Sequence, residues 1–205
     1  MHYLIKDIEI QKILNSLFEI KGIHKKNVSR LHNFIEAVCY MSKAGCSWRL
    51  LPKNYGSWRS LHKRFKYWSE RNIWEQLFEK HQIDPDLEYL MIDSTIVRAH
   101  SCAAGYGKNS QEKEALGRSK GGFTTKIHAA VDALGNPLKF SLTAGQRHDI
   151  TQAEFLTKDF AADFLLADKG YDSSHFIESV TAKGFSPVIP SRKNRKQPRI
   201  YDDFL

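Results

Sequence analysis

No apolar run in this chain approaches the roughly 20 residues that a membrane-spanning helix needs. The N-terminal MHYLIKDIEIQK has neither an apolar stretch nor a small-residue cleavage site, so a secretory leader and a membrane partner are not expected. Cysteine is scarce: Cys39, Cys46 and Cys102 make an odd set with no Cys-x-x-Cys spacing, which argues against a disulfide framework or a zinc ribbon and leaves ordinary reduced thiols. A cytoplasmic location is the default. Internal repeats and low-complexity tracts are also missing. What is present excludes wholesale disorder: 41% apolar and 12% aromatic residues supply a core, while 26% charged residues and a mean hydropathy of −0.47 point to a globular fold in water. A chain of 205 residues is long enough for one substantial core or two small ones.

The basic excess, 31 Lys and Arg against 23 Asp and Glu, is unevenly placed. Residues 1–85 hold 15 basic and 8 acidic groups, residues 86–191 hold 11 and 13, and the last stretch is basic again. A basic front and tail around a carboxylate-rich middle suggest polyanion binding.

The front reads as helical. Ile8, Ile10, Ile13, Leu14, Leu17 and Phe18 recur at helical spacing. Ser29 is placed to cap a second helix that carries Leu31, Phe34, Ile35, Val38, Cys39 and Met41 inward until Gly45 stops it. After a turn-like Asn54-Tyr55-Gly56, a third helix from Ser57 puts Trp58, Leu61, Phe65 and Trp68 on one face and Arg59, Lys63, Arg64 and Lys66 on the others. A fourth follows through Ile73, Trp74, Leu77 and Phe78. Helix, turn, basic helix is the order of a helix-turn-helix, whose second helix enters the DNA major groove. The competing reading of the four cations is a solvated surface over an aromatic core, to which Trp48, Trp58, Trp68 and Trp74 are assigned.

Asp84-Pro85-Asp86 punctuates the chain, and we place the domain boundary between residues 85 and 86. Tyr89 to Val97 reads as a buried strand with Asp93 in its middle, residues 101–122 as a loop, and Thr124–Val131 with Pro137–Thr143 as a β-hairpin. A helix over Ile150–Phe160, a strand Phe164–Ala167, a helix through Phe176, Ile177 and Val180, and a strand Phe185–Ile189 complete a mixed sheet with helices on it. The fold class is therefore α+β.

Burying an unpaired Asp93 costs several kcal/mol, so an ion pair, for instance with Arg98, or a hard metal ion must compensate it. Asp168 ends a second apolar strand and opens the loop Lys169-Gly170-Tyr171-Asp172. A hairpin and one crossover helix separate the two, enough chain for their strands to lie parallel and adjacent. Two neighbouring acids then repel unless a cation lies between them. A zinc site from His100, Cys102 and His128 matches no closed ligand spacing.

The segments Asp93-Ser94-Thr95-x-Val97-Arg98-Ala99-His100, Gly117-Arg118-Ser119-Lys120-Gly121-Gly122-x-Thr124-Thr125-Lys126, Leu142-Thr143-Ala144-Gly145-Gln146-x-His148-Asp149 and Ala167-Asp168-Lys169-Gly170-Tyr171-Asp172 closely resemble bacterial insertion-sequence transposases of the DDE type. Within them the match is to group five of the four/five superfamily. Gly45-Cys46-Ser47-Trp48-Arg49-x-Leu51-Pro52 near the front and Pro198-Arg199-x-Tyr201-Asp202 near the end extend the resemblance over nearly the whole chain. It implies a helical DNA-binding domain over residues 1–85 and a ribonuclease-H-like catalytic domain over 86–205. Asp93 and Asp168 would be two members of an Asp-Asp-Glu triad that holds magnesium, with manganese able to substitute and no organic cofactor. The implied partners are double-stranded DNA, both element ends and target, and further copies of the chain; the implied location is bacterial cytoplasm, at the nucleoid when DNA is bound. Arg118, Lys120 and Lys126 are candidates to grip phosphates. Lys169 and Tyr171 are candidates to contact phosphates and bases, with core packing the alternative for Tyr171. His148 and Asp149 are either supporting groups or, for Asp149, a cap on the next helix.

The family places its catalytic Glu on a helix beyond the Arg-x-Tyr-Asp segment, and the sequence ends at Leu205 before one. Alone, the chain is therefore expected to hold metal weakly and neither cut nor join DNA, and its sheet to lack a covering helix. Acting as a first-frame or truncated DNA-binding regulator of transposition is the alternative function. An ordinary nuclease on the same fold needs the same carboxylates without end recognition.

Overall fold

The computed structural model describes residues 6–82, 84–99 and 114–195. His100, Cys102, Asp202 and Asp203, most of the expected loop, and the Pro198–Asp202 segment lie outside the described residues. The chain divides into two compact units, Met1–Gln82 and Ile83–Leu205, just ahead of Asp84-Pro85-Asp86.

The first unit is all helical: α1 (Asp7–Glu19), α2 (Val28–Ala44), α3 (Trp58–Glu70) and α4 (Ile73–Lys80). Ile10, Leu14 and Leu17 of α1 are buried in phase, whereas Ile8 is 66% exposed and leaves the stripe. The cap of α2 is Asn27, whose Oδ1 accepts the Arg30 amide at 2.9 Å, and not Ser29, which lies within the first turn. Gly45 ends α2 in the left-handed conformation (φ 61°) open to glycine without strain. An aromatic cluster fills the core, with Trp68 4.9 Å from both Phe34 and Trp74, and Trp48 5.2 Å from Phe65. The tryptophans therefore pack rather than offer stacking platforms, apart from Trp58, which is half-buried beneath Arg49 and Arg59. The helix order is the expected one, but α2 and α3 are joined through two short 3-10 turns, Trp48–Leu50 and Lys53–Tyr55, rather than a tight turn. The tight connection falls between α3 and α4, where Asn72 takes a positive φ of 52°.

Among the described residues the second unit is a six-stranded sheet with two α-helices: β1 (Tyr89–Arg98), β2 (Gly117–Ser119), β3 (Gly122–Val131), β4 (Pro137–Ala144), α5 (Ile150–Thr157), β5 (Phe164–Ala167), α6 (Ser174–Ala182) and β6 (Ser186–Val188). Part of the stretch expected as loop is thus strand β2, paired with the start of β3. Apart from β2, the strands run in the order β4-β3-β1-β5-β6. β4, β3 and β1 pair antiparallel in turn, and β5 and β6 continue parallel to β1. Three antiparallel strands followed by two parallel ones, in that order, is the ribonuclease-H-like arrangement. The hairpin forms because β3 alternates strictly, burying Thr124, Lys126, His128 and Ala130. Its turn is organised by the fully buried Asp132, whose carboxylate accepts the amides of Leu134, Asn136 and Asp86. The core joins Leu90, Ile92 and Leu165 of the sheet to Ala153 and Leu156 of α5 and Phe176 and Val180 of α6.

Candidate active site

The parallel ladder of β1 with β5 ends at Ile92 opposite Ala167. The next residue on each strand is an aspartate, so Asp93 and Asp168 stand side by side at the carboxyl edge of the sheet, where open α/β sheets place their ligands. Both are exposed, which corrects the expectation that Asp93 is buried: the buried part of β1 stops at Ile92, where the partner strand ends. Burial therefore places no demand for a compensating cation on Asp93. Each carboxylate is oriented by a backbone amide, Asp93 Oδ1 accepting from Ser94 at 2.7 Å and Asp168 Oδ1 from Gly170 at 2.8 Å. Neither is in an ion pair among the described residues. Arg98, the alternative partner for Asp93, lies against Gly121 instead.

The loop after Asp168 is clamped from beneath. Arg192 donates to the carbonyls of Lys169 (3.1 Å) and Gly170 (2.7 Å), and its amide donates to Asp172 at 2.9 Å. Asp172, its side chain 1% exposed, also pairs with Arg195. This buried pair fixes the path that aims Asp168.

Under the two aspartates the sheet carries a polar network that the linear sequence did not expose. Lys126 is buried, and its Nζ donates to the Arg147 carbonyl and to Asp149 Oδ1, both at 2.8 Å. It does not face solvent as a lysine gripping phosphate does, and this corrects its expected role. The same Asp149 oxygen accepts the Ser94 hydroxyl at 2.7 Å. Burial works against the Asp149 charge, but Lys126 and Ser94 outweigh it and hold the carboxyl below the ordinary range. Asp149 starts α5 without making a capping bond. His128 is fully buried, with Nε2 2.8 Å from Thr143 Oγ1; burial lowers its pKa and keeps it neutral. A sequence signal for this network existed: Lys126 and His128 lie in phase with the buried Ala130, so all three share the core-facing side of β3.

Tyr171 is buried completely and cannot stack on a base, so packing is its role in the fold. Its hydroxyl makes no well-formed hydrogen bond among the described residues. Burial, followed by Asp149, Asp93 and Asp168, pushes its pKa up, with Ser94 pulling weakly the other way. The phenol therefore stays protonated beneath the carboxylates.

The remaining cations sort by exposure. Arg59, Lys63, Lys66, Arg118, Lys120 and Lys169 are exposed. Arg64 is half-buried over the Phe34 ring with Nη1 donating to the Arg30 carbonyl, and burial followed by Arg30 lowers its pKa.

A divalent cation suits this donor set. Carboxylate oxygens are hard ligands, and magnesium commonly takes one or two carboxylates and completes its shell with water and substrate phosphate. Among the described residues no three His, Cys, Asp or Glu side chains form a closed metal site, so water would have to supply the balance. The zinc alternative rests on His100 and Cys102, which lie outside the described residues. Space is provided by Gly170: a Cβ there would stand 2.8 Å from Asp168 Oδ1, so any side chain would crowd the carboxylate.

Residues 84–201 match the family described as transposase DDE domain, and residues 10–78 match the putative transposases of the IS4/5 family. The chain is 40% identical over 86 residues to a Sinorhizobium fredii protein, y4sN, described as uncharacterized, covering 41% of this chain and 69% of that one. It is 42% identical over 76 residues to the putative transposase for insertion sequence element IS6501 of Brucella ovis, covering 35% of this chain and 58% of that protein's length. Among solved structures, it is similar to the piggyBac transposase in its synaptic complex with hairpin DNA, at 14% identity and a TM-score of 0.49 over 94% of this chain and 50% of that one. No described helix is long and apolar enough to cross a membrane.

Proposed function

This chain belongs to the DDE-domain transposases, and from that premise we propose that its second unit carries out magnesium-dependent cleavage and joining of DNA strands at the ends of an insertion sequence. The observation that carries the reading is the pair Asp93 and Asp168, adjacent at the edge of β1 and β5, exposed, and paired with no cation among the described residues. A hard divalent cation bound by the two aspartates would supply Lewis-acid stabilisation of the charge that develops at phosphorus during an in-line displacement. Manganese would serve in place of magnesium.

The chain's own part is to hold and to aim. Asp93 and Asp168 are the residues that would ligate the cation, each fixed by a backbone amide. The Arg192 and Asp172 clamp keeps the Asp168 loop in register. Exposed Arg118, Lys120 and Lys169 would hold phosphate oxygens near this edge, and Arg59, Lys63 and Lys66 of α3 would bind DNA in the first unit; such contacts position the duplex without reading it. Cleavage and joining then differ only in nucleophile, a water or a 3′-hydroxyl, at one site. Copies of the chain would meet on DNA to bring two ends together.

The test is strand nicking and joining of DNA bearing the element's ends, in magnesium, by the full-length protein its element encodes. Asp93→Ala and Asp168→Ala should each abolish product; activity surviving either change would refute the assignment. The self-contained helical core and the exposed cations of α3 favour one further reading, a regulator that occupies element ends without cutting. It requires end-specific binding without metal that weakens steeply with salt, and equal affinity for unrelated DNA would exclude it.

A further inference from the structure

Asp149 has a role still to be assigned. Its Oδ1 is saturated by Lys126 Nζ and the Ser94 hydroxyl, while Oδ2 accepts no hydrogen bond among the described residues. That free oxygen faces the Asp168 loop: a Cβ on Gly170 would stand 3.5 Å from Asp149 Oδ2 and 2.8 Å from Asp168 Oδ1, so both carboxylates close on Gly170 and only a glycine fits between them. The fully buried Tyr171 hydroxyl makes no well-formed hydrogen bond among the described residues, with Ser94 acting on it only weakly, and lies where Asp149, Asp93 and Asp168 all act on it. Leaving a buried donor unmatched costs about 1–3 kcal/mol, so an orphan of this kind marks a place where a ligand or water completes the site.

We propose that Asp149 is a third carboxylate of the acidic centre, a positioning residue whose Oδ2 takes the water shell of a divalent cation held by Asp93 and Asp168. The inference rests on the reading of those two aspartates as the cation's ligands and extends it. Ser94 lies between the parts: its amide orients Asp93 and its hydroxyl orients Asp149, so one residue of β1 sets both carboxylates. Lys126 balances the Asp149 charge from the core side, so the added oxygen does not bring a third uncompensated negative charge to the edge. Among the described residues no three His, Cys, Asp or Glu side chains group as direct ligands, so the contact proposed is through water, which magnesium gives up reluctantly.

The experiment titrates the chain with Mn²⁺ alone and reads free ion by electron paramagnetic resonance, with thermal melting of each variant alongside. Asp168→Asn should abolish binding. Asp149→Asn keeps an acceptor for Lys126 and Ser94 but removes the outer oxygen, and should weaken Mn²⁺ about tenfold, as loss of an outer-sphere partner does. Ser94→Ala keeps the amide that orients Asp93 and removes only the hydroxyl that fixes Asp149, and should also weaken Mn²⁺, by up to about tenfold. A purely structural Asp149 would leave the ion's affinity unmoved in every variant that still folds. If Asp149→Asn and Ser94→Ala bind Mn²⁺ like the parent while Asp168→Asn does not, the Asp149 inference falls and the two-aspartate reading stands. If Asp168→Asn binds like the parent, that reading falls and takes this one with it. If Asp149→Asn does not fold, Ser94→Ala decides alone.

Discussion

The two units of this chain use charge in opposite ways. In the helical unit the cations of α3 other than Arg64 lie outside an aromatic core; Lys66, paired with Glu70 at 69% and 61% exposure, is one of them. In the sheet unit the decisive charges lie within: Lys126 is 10% and Asp149 26% exposed, and Arg195 closes over an Asp172 that is 1% exposed. Net charge points to the first unit, yet ionic groups that cannot be removed without consequence are concentrated in the second. A charge on a solvated helix face costs little and binds little on its own. A buried, paired charge has already been stripped of water, so losing its partner is expensive.

Lys126→Met breaks this contrast most severely. It leaves Asp149 without its cation and should destabilise the sheet unit by about 3 kcal/mol, the scale for removing one member of a buried pair. Trp48, Trp58, Trp68 and Trp74 all belong to the helical unit, so tryptophan fluorescence reports that unit alone. In urea the far-ultraviolet circular dichroism transition should shift to lower denaturant while the fluorescence transition stays in place. A joint shift would show that the units do not respond separately.

Acid should have the next largest effect, and again on the sheet unit. Burial works against the Asp132 charge, but the Asn136 side chain and the amides of Asn136, Asp86 and Leu134 hold its pKa below the ordinary carboxylate value. A carboxyl with a lowered folded pKa adds stability that is complete above its unfolded value and is lost as pH falls through the folded one. His128, kept neutral chiefly by burial, acts in the same direction from a higher start: below about pH 6.5 the unfolded imidazole takes up a proton that the folded one resists. In the helical unit Glu19 is also lowered, by Lys80, but that pair lies in solvent and contributes little. Stepwise acidification from pH 7 should therefore lose the sheet signal before the tryptophan signal; the reverse order would contradict the contrast.

Much of this is legible in the chain, and the illegible part has physical reasons. The alternation of β3, the apolar strand with Asp93 in its middle, the apolar run that ends at Asp168, and the helical stripes around Leu14, Phe34 and Trp68 are local patterns, and they delimit elements to within a few residues. Exposure at Asp93 is not readable, because it depends on where the partner strand β5 stops, a property of pairing rather than of β1. Asp149 is ambiguous for a related cause: an Asp before a helix serves equally as a cap or as a partner, and only the position of Lys126 across the sheet decides. Lys126 itself misleads, because lysine suggests solvent while its phase on β3 points inward.

Tyr171→Phe probes a smaller effect of opposite sign. The hydroxyl is buried without a partner among the described residues, so deleting it removes an uncompensated desolvation cost and should stabilise the metal-free chain by up to about 1 kcal/mol. The same change should weaken Mn²⁺ if the phenol completes the acidic centre. Melting curves with and without Mn²⁺ separate the two: the variant should melt higher than the parent without ion and gain less from its addition. A loss of stability in both conditions would mean that the hydroxyl is satisfied in solution and the orphan reading is wrong.

The triple change Arg59→Ala, Lys63→Ala and Lys66→Ala should have the smallest effect on folding and so test the other half of the contrast. All three side chains are exposed; Arg59 lies over the Trp58 ring at 5.0 Å and Lys66 pairs with an exposed Glu70, so the summed cost to the helical unit should stay within about 1 kcal/mol. Arg64 is left intact because its guanidinium packs on Phe34, and its removal would mix folding with binding. If α3 holds DNA through phosphates, affinity should fall for every sequence alike, and the slope of log K against log salt should become shallower by about 0.9 for each phosphate no longer neutralised. Unchanged binding and slope, in a protein whose fluorescence transition has not moved, would show that the basic face of α3 serves solubility and that the DNA-binding surface lies elsewhere.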